Sequence, residues 1–246
     1  MMQFLQLSLT TQLSDFWQLH IVRNFIAEDR WRYLTDGLKN TLLISLGALA
    51  LGLLLGALVA MIRVTHDKAE HAGFGLRVIN AICQFYLTVI RSTPVMVQLL
   101  IAYYVIFATY DPGKLAVAIL SFGINSGAYV AEIFRGGIMS VDPGQMEAGR
   151  SLGLSYWQTM LQIILPQALK TVLPSLCNEG IALLKETSVA GYIGLGELTR
   201  GATLISSQTF DYFPPLLAIA VIYLVVVLVL TKLVHILERR LAQSER

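Results

Sequence analysis

From Leu42 to Ile62 the chain runs 21 residues without one charged side chain. At about 1.5 Å of rise per residue, a helix of that length reaches roughly 31 Å, the thickness of a bilayer's hydrocarbon core. Backbone in hydrocarbon must satisfy its own hydrogen bonds, so the run is expected to be a membrane helix. Composition agrees, since 55% of the residues are hydrophobic and 14% charged, where soluble domains carry roughly a quarter charged. The net charge of +2 is too small for a phosphate-tracking surface, and no basic cluster is interleaved with aromatics, which excludes nucleic acid as a partner. Cys83 and Cys177 lie in apolar stretches without CxxC spacing and read as two buried reduced thiols.

Four more spans are expected. The second, Val78 to Tyr110, is interrupted by Arg91-Ser92-Thr93-Pro94, where Pro94 removes a backbone donor and pushes Thr93 off helical angles. Either the break lies inside one span, or an interfacial helix ends at Ile90 and the true span starts near Val95. Leu115 to Ala131 is the third, softened by Asn125 and Ser126; Glu132 and Arg135 at its end are spaced for an i,i+3 ion pair at the water boundary. Val172 to Gly196 holds Glu179, Lys185 and Glu186, and Pro215 to Thr231 is again uncharged. Gly52 and Gly56 form a small-xxx-small step that allows a second helix to approach the first span.

Five spans put the termini on opposite sides, and basic residues choose which. With the C-terminus inside, the inner segments hold Arg63, Lys68, Arg77, Arg135, Arg150, Lys170, Lys232, Arg239, Arg240 and Arg246, ten in all. The outer ones hold Arg23, Arg30, Arg32, Lys39, Lys114 and Arg200, six in all, so the C-terminus is expected in the cytoplasm and the N-terminus outside. Three regions follow: an extracytoplasmic segment 1–37, a membrane domain 38–237 and a cytoplasmic tail 238–246. The first lacks the layout of a cleaved signal peptide. Its Phe16, Trp17, Phe25 and Trp31 mixed with charges suggest an interfacial segment, with a poorly packed tail as the other reading.

The cytoplasmic loop from Val141 to Pro166 carries two helix starts. Asp142 can cap, with Pro143 at the first helical position and Gln145 at the third; Ser155 can cap with Gln158 three residues later. Gly153 between them suits the left-handed residue that ends a helix. Trp157, Met160, Leu161 and Ile164 give the second helix one apolar face, which needs cover from the chain's own membrane domain or from another protein.

Glu147-Ala148-Gly149, Gly153 four residues on, then Ile163 and Leu165-Pro166 resemble the EAA loop of the membrane subunits of ATP-binding-cassette importers, with glycine in place of the third small alanine. Arg91-Ser92-Thr93-Pro94 with Gln98, the stretch from Gly127 to Gly137, Pro166-Gln167-Ala168, Asn178 and Lys185-Glu186-Thr187-Ser188 are similar to the branch that carries polar amino acids such as histidine, glutamine, glutamate or arginine. The resemblance covers about Gly37 to Leu237. It implies an all-α integral membrane protein with five transmembrane helices, the type I importer permease fold and a cytoplasmic coupling helix. It further implies that Glu147, Ala148, Gly149 and Gly153 dock on a separate ATP-binding subunit, with Glu147 as the polar contact. A second copy or a homologous permease would complete the pore, an extracytoplasmic amino-acid-binding protein would deliver the substrate, and the whole would sit in lipid in a bacterial inner membrane.

Ionisable residues at membrane depth cost roughly 2.5–3.5 kcal/mol each on insertion scales, so they face a partner or a wet cavity. Arg91, Glu179, Lys185 and Glu186 are such residues. Glu179 and Glu186, seven apart, share a helical face. A path lined by both signs suits an amino acid, and Arg91, Ser92, Thr93, Asn125, Asn178 and Glu179 are expected to border it, with Lys185, Glu186 and Ser188 near its gate. The competing reading of each charge is an interhelical ion pair or a snorkelling side chain.

No GxxxxGK[ST] loop occurs, so no cofactor is expected on this chain and Mg-ATP belongs on the partner. His20, His66, His71 and His235 are scattered, and neither HExxH nor GxSxG is present, which argues against a membrane enzyme. The rival transport reading is an ion-gradient-coupled transporter or channel, which predicts an internal inverted repeat that the two halves lack.

Overall fold

The computed structural model describes residues 15, 17–69 and 71–243, and every regular element among them is helical. The elements are α1 (Trp17–Ile26, wound as a π-helix), α2 (Trp31–Asp67), α3 (Phe74–Ser92), α4 (Val95–Ile101, prolonged by the π-helical Ala102–Ile106) and α5 (Lys114–Met139). They continue as α6 (Pro143–Ser151), α7 (Tyr156–Thr159, prolonged by the π-helical Met160–Ile164), α8 (Leu165–Glu186), α9 (Leu198–Thr209) and α10 (Phe213–Gln243).

Four helical stretches are long and apolar enough to cross a bilayer, and the bent pair α3–α4 makes a fifth. With that pair as one broken span the five expected spans are present, and the three uncharged runs 42–62, 115–131 and 215–231 each lie inside a longer helix. α2 is the extreme case: its 37 residues rise about 55 Å, so its charged ends reach past the hydrocarbon on both sides. The break at Arg91-Ser92-Thr93-Pro94 is real and sharp. Thr93 (φ −119°, ψ 143°) and Pro94 (φ −63°, ψ 134°) are both extended, and α3 and α4 meet at 107°. Proline's clash with the residue before it forces that geometry on Thr93.

α5 is the most enclosed element, with Val117, Ala118, Phe122, Ala128 and Val130 fully buried. Its long seam with α2 is made by the glycines the sequence singled out. A Cβ on Gly56 would lie 2.6 Å from Val130 Cβ and 2.9 Å from the Ala131 amide, and one on Gly52 would lie 3.0 Å from Ser126 Oγ. Small residues let the two backbones close to a distance that dispersion rewards, which matters where lipid tails are as apolar as leucine. By contrast α10 leaves Leu224, Val225, Leu228 and Val229 exposed, an apolar flank that needs lipid or another membrane chain as its solvent.

Two elements were not expected from the sequence. α9 packs between α2 and α10, capped by the fully buried Glu197, whose carboxylate accepts from the amides of Thr199 and Arg200 at 2.7 Å each. α1 is fastened to the α9–α10 corner: Asn24 Nδ2 donates to Asp211 at 3.2 Å, Thr209 Oγ1 donates to Asn24 Oδ1 at 2.8 Å, and Arg23 donates to the Thr209 carbonyl at 2.6 Å. The described part of the segment 1–37 is thus anchored rather than a loose tail; residues 1–14 and Phe16 lie outside the described residues. α2 also starts at Trp31, inside that segment, ahead of the expected boundary. Cys83 is buried, Cys177 only half-buried, and both are free thiols.

Candidate functional site

The loop between α5 and α8 folds as a helical hairpin. Asp142 caps α6 by accepting from the Gly144 amide at 2.7 Å, with Pro143 at the first helical position. The reciprocal half of the expected capping box is absent, because Gln145 accepts instead from Gln167 at 3.3 Å and ties α6 to the start of α8. At the other end Gly153 sits at φ +86°, its amide reaches the Arg150 carbonyl at 3.0 Å, and the Leu154 amide reaches the Gly149 carbonyl at 3.1 Å. This is a Schellman termination, and the left-handed residue it needs is the glycine. Ser155 and Gln158 then form a complete capping box at the head of α7.

Of the four residues expected to meet an ATPase, Glu147 and Ala148 are exposed on α6. Gly149 faces the other way: it is buried, and a Cβ there would lie 2.9 Å from Thr159 Oγ1 and 3.2 Å from Ile163 Cδ1. Its smallness serves the closure of α6 on α7, and Gly153 serves the turn. Pro143, Met146, Glu147 and Arg150 share one face of α6 and border a cavity of about 530 Å³ that Lys68 also lines. Burial holds the Lys68 ammonium below its ordinary pKa.

The apolar face of the second hairpin helix is split. Met160 and Ile164 are buried against the chain's own helices, whereas Trp157 and Leu161 are 59% and 61% exposed. The π-helical turn Met160–Ile164 adds a residue to the turn and rotates the stripe that strict 3.6-residue spacing keeps on one side.

The residues expected along a path do not gather round one cavity; they fall into three groups spaced along α5. At the end of α5 nearer the hairpin a cleft of about 810 Å³, termed inner for its place beside the hairpin, lies between α2, α3 and α5, lined by Arg63, Gln84, Arg91, Ser92, Tyr129 and Glu132. The Arg91 guanidinium stands 5.7 Å from the centre of the Tyr129 ring, a cation–π contact. Glu132 bonds Arg135 at 3.1 Å, as its spacing predicted, and Asp67 joins from α2 at 3.6 Å. Midway along α5, Asn125 donates to Gln98 at 3.0 Å and Ser126 donates to Glu179 at 2.9 Å, with Thr93 held by Gln98 as well. Asn178 is exposed on α8, and Lys185 and Glu186 are exposed at its end.

At the other end of α5, away from the hairpin and termed outer for that reason, Ser188 lines a second cleft of about 670 Å³ with Tyr103, Tyr104, Lys114, Glu197 and Arg200. Burial pushes the Glu197 carboxyl up to about 7 against the opposing pull of the Thr199 and Arg200 amides. Lys114 and Glu132 are 18 residues apart on α5, so the two clefts are separated by about 27 Å of helix, close to a hydrocarbon thickness. Gln98, Ser126, Arg63 and Gln84 were not assigned roles from sequence. The signal for Gln98 was its place four residues after Pro94 in a stretch that resembles the family, and that for Ser126 was a hydroxyl beside Asn125 in a mostly apolar run.

Residues 71–243 match the family described as binding-protein-dependent transport system inner membrane component. The chain belongs to this family. It is therefore a transport component of an inner membrane and not an enzyme. The permease is 38% identical over 211 residues to the glutamine transport system permease protein GlnP of Escherichia coli strain K12, covering 85% of this chain and 92% of that one. It superposes with a TM-score of 0.77 at 39% identity on a chain of a crystal structure of an amino acid ABC transporter with histidines, covering 85% of this chain and 94% of that one. An inward-facing MetNI methionine ABC transporter gives 0.69 at 18% identity over 86% of this chain and 99% of that one, which establishes the shared fold alone. The five-span type I importer permease fold expected from the EAA-like loop is borne out by these matches, and none of them supports the gradient-coupled alternative.

Proposed function

We propose that this chain is the permease subunit of an ATP-driven importer of a polar amino acid. The observation that carries the reading is the hairpin α6–α7. It is a rigid knob, closed internally at Gly149 and capped at Asp142 and Ser155, that offers Glu147 and Ala148 on its surface. A motor on another polypeptide can move the membrane helices only through a part stiff enough to transmit force. A hairpin with both helix starts capped and its turn fixed by a left-handed glycine has that stiffness.

Mg-ATP binds on the partner subunit, which grips the hairpin near Glu147 and Ala148. The hairpin continues into α8 without a flexible linker, so displacement of the knob tilts α8 and, through Ser126 and Glu179, α5. Two such chains, identical or homologous, enclose the path. The hairpin and the C-terminal tail 238–246 face the cytoplasm, and α1 and the outer cleft face outside, where an amino-acid-binding protein delivers substrate. The membrane domain 38–237 does the transport; within it Arg91 and Ser92 meet the substrate in the inner cleft and Ser188 in the outer one. Asn178, Glu179, Lys185 and Glu186 present both signs of charge along α8, and Thr93 and Asn125 hold the elbow beside the path.

The test is uptake into proteoliposomes holding the permease, its ATPase subunit and its binding protein. Uptake should require ATP inside the ATPase-facing compartment and survive collapse of all ion gradients. Uptake that follows an ion gradient and ignores ATP would end the proposal.

A further inference from the structure

At the elbow between α3 and α4 the chain leaves the helix within a membrane span. The last carbonyls of α3 lose their intrahelical donors there, and hydrocarbon supplies no water to replace them. Two side chains, Gln98 and Thr93, do so. Gln98, in the first turn of α4, sends its Nε2 back across the break to the Ile90 carbonyl at 2.8 Å, the Thr93 hydroxyl at 2.8 Å and the Thr93 carbonyl at 3.1 Å. The Thr93 hydroxyl in turn donates to the Val89 carbonyl at 2.8 Å. On its other side the Gln98 Oε1 accepts from Asn125 Nδ2 at 3.0 Å, and Asn125 is only 3% exposed on α5. The Gln98 backbone N–H separately closes the first turn of α4 on the Pro94 carbonyl at 3.2 Å. Both ends of the carboxamide are in use. Its orientation is dictated, because turned over it would set an oxygen against two carbonyl oxygens.

The elbow carries Arg91 and Ser92 into the inner cleft, and Asn125 lies four residues, about one turn, before Tyr129 on the wall of that cleft. We propose that Gln98 is a positioning residue that fixes the elbow against α5 and so holds the Arg91 guanidinium over Tyr129, where the carboxylate of an amino acid meets it. The proposal rests on the inner cleft being part of the path. Tyr86 OH ties α3 to the Ile124 carbonyl of α5 at 2.6 Å and Thr93 caps the end of α3, but among the residues of α4 Gln98 alone carries a side-chain amide or hydroxyl that joins α4 to both the break and α5.

Gln98→Met keeps the length and removes every side-chain bond, whereas Asn125→Leu removes only the tie to α5 and leaves the break itself capped. Spin labels at Ile79→Cys and Val105→Cys, on the exposed arms of the elbow, report its angle by dipolar distance measurement in the nanodisc-embedded complex with the ATPase subunit. Transport is read with whichever of L-glutamine, L-histidine, L-glutamate and L-arginine the parent complex imports. Both variants should broaden or shift the distance distribution and raise the apparent KM about tenfold, with a smaller change in the maximal uptake rate. The double variant should be no worse than Gln98→Met. A distance distribution identical to that of the parent in both variants would overturn the proposal whatever happens to transport. Distances that broaden while KM stays fixed would leave the joint in place and remove the inner cleft from the path, which overturns the positioning role and identifies the cleft as the faulty step.

Discussion

Ser126 Oγ donates to Glu179 Oε1 at 2.9 Å, joining the middle of α5 to the middle of α8. The sequence holds the two residues 53 positions apart, in two different expected spans. The bond supplies a half-buried carboxylate with the donor that hydrocarbon cannot, and it ties α8 to α5.

Removing only the donor strands the acceptor. Ser126→Ala should lower the stability of the purified complex by about 1–3 kcal/mol, whereas Ser126→Ala with Glu179→Met, which removes both partners, should recover most of the loss. Thermal unfolding of the four members of this cycle decides it; additive losses would show that the bond contributes nothing.

The α2–α5 seam makes a second prediction. Gly56→Val forces atoms into the space already held by Val130 and the Ala131 amide, and should cost about 1–3 kcal/mol or prevent assembly. Gly75→Ala, where a Cβ meets nothing within 4 Å, should change stability by less than about 0.5 kcal/mol. Equal melting temperatures for the two variants would contradict the seam.

Hydropathy made the spans legible because a bilayer penalises every charge in a 21-residue window alike, and the hairpin was legible because Asp142, Gly153 and Ser155 act on their own local backbone. What pattern could not give is set by contacts remote in sequence. α9 was missed because its few apolar residues are interleaved with Thr199, Arg200, Gly201 and Thr203 and followed by Ser206, Ser207 and Gln208, and its helicity depends on Glu197 as a cap and on burial against α2. The inward aim of Gly149 depends on Thr159, ten residues on, and the amphipathic stripe through Trp157 and Leu161 was read at a constant 3.6-residue period that the π-helical turn breaks. The path residues come from separate stretches and occupy separate stations, since spacing along a chain fixes a helical face but not which cavity that face meets.

Glu197 gives a pH dependence with a definite sign. Burial raises its folded-state pKa from the ordinary 4.5 to about 7, so between those values the folded protein holds a proton that the unfolded chain has released. Stability from this group is present at acid pH, falls as pH rises from about 4.5 to about 7, and is level above that. Glu197→Gln cannot titrate, so subtracting its melting curve from that of the parent should leave a difference sloping down across this window. A flat difference would place Glu197 in contact with water.

The hairpin as the handle of a separate motor is the claim on which the transport mechanism turns, and cysteine crosslinking to the co-purified ATPase subunit tests it most directly. Ala148→Cys and Ser151→Cys, both exposed on α6, should crosslink to that subunit in a yield that changes when ATP is added, while Ser207→Cys, exposed on α9 at the end of the bundle away from the hairpin, should not crosslink at all. Absence of any ATPase adduct at Ala148 and Ser151 in an actively transporting complex, or labelling of both by a membrane-impermeant reagent from outside the cell, would contradict the account.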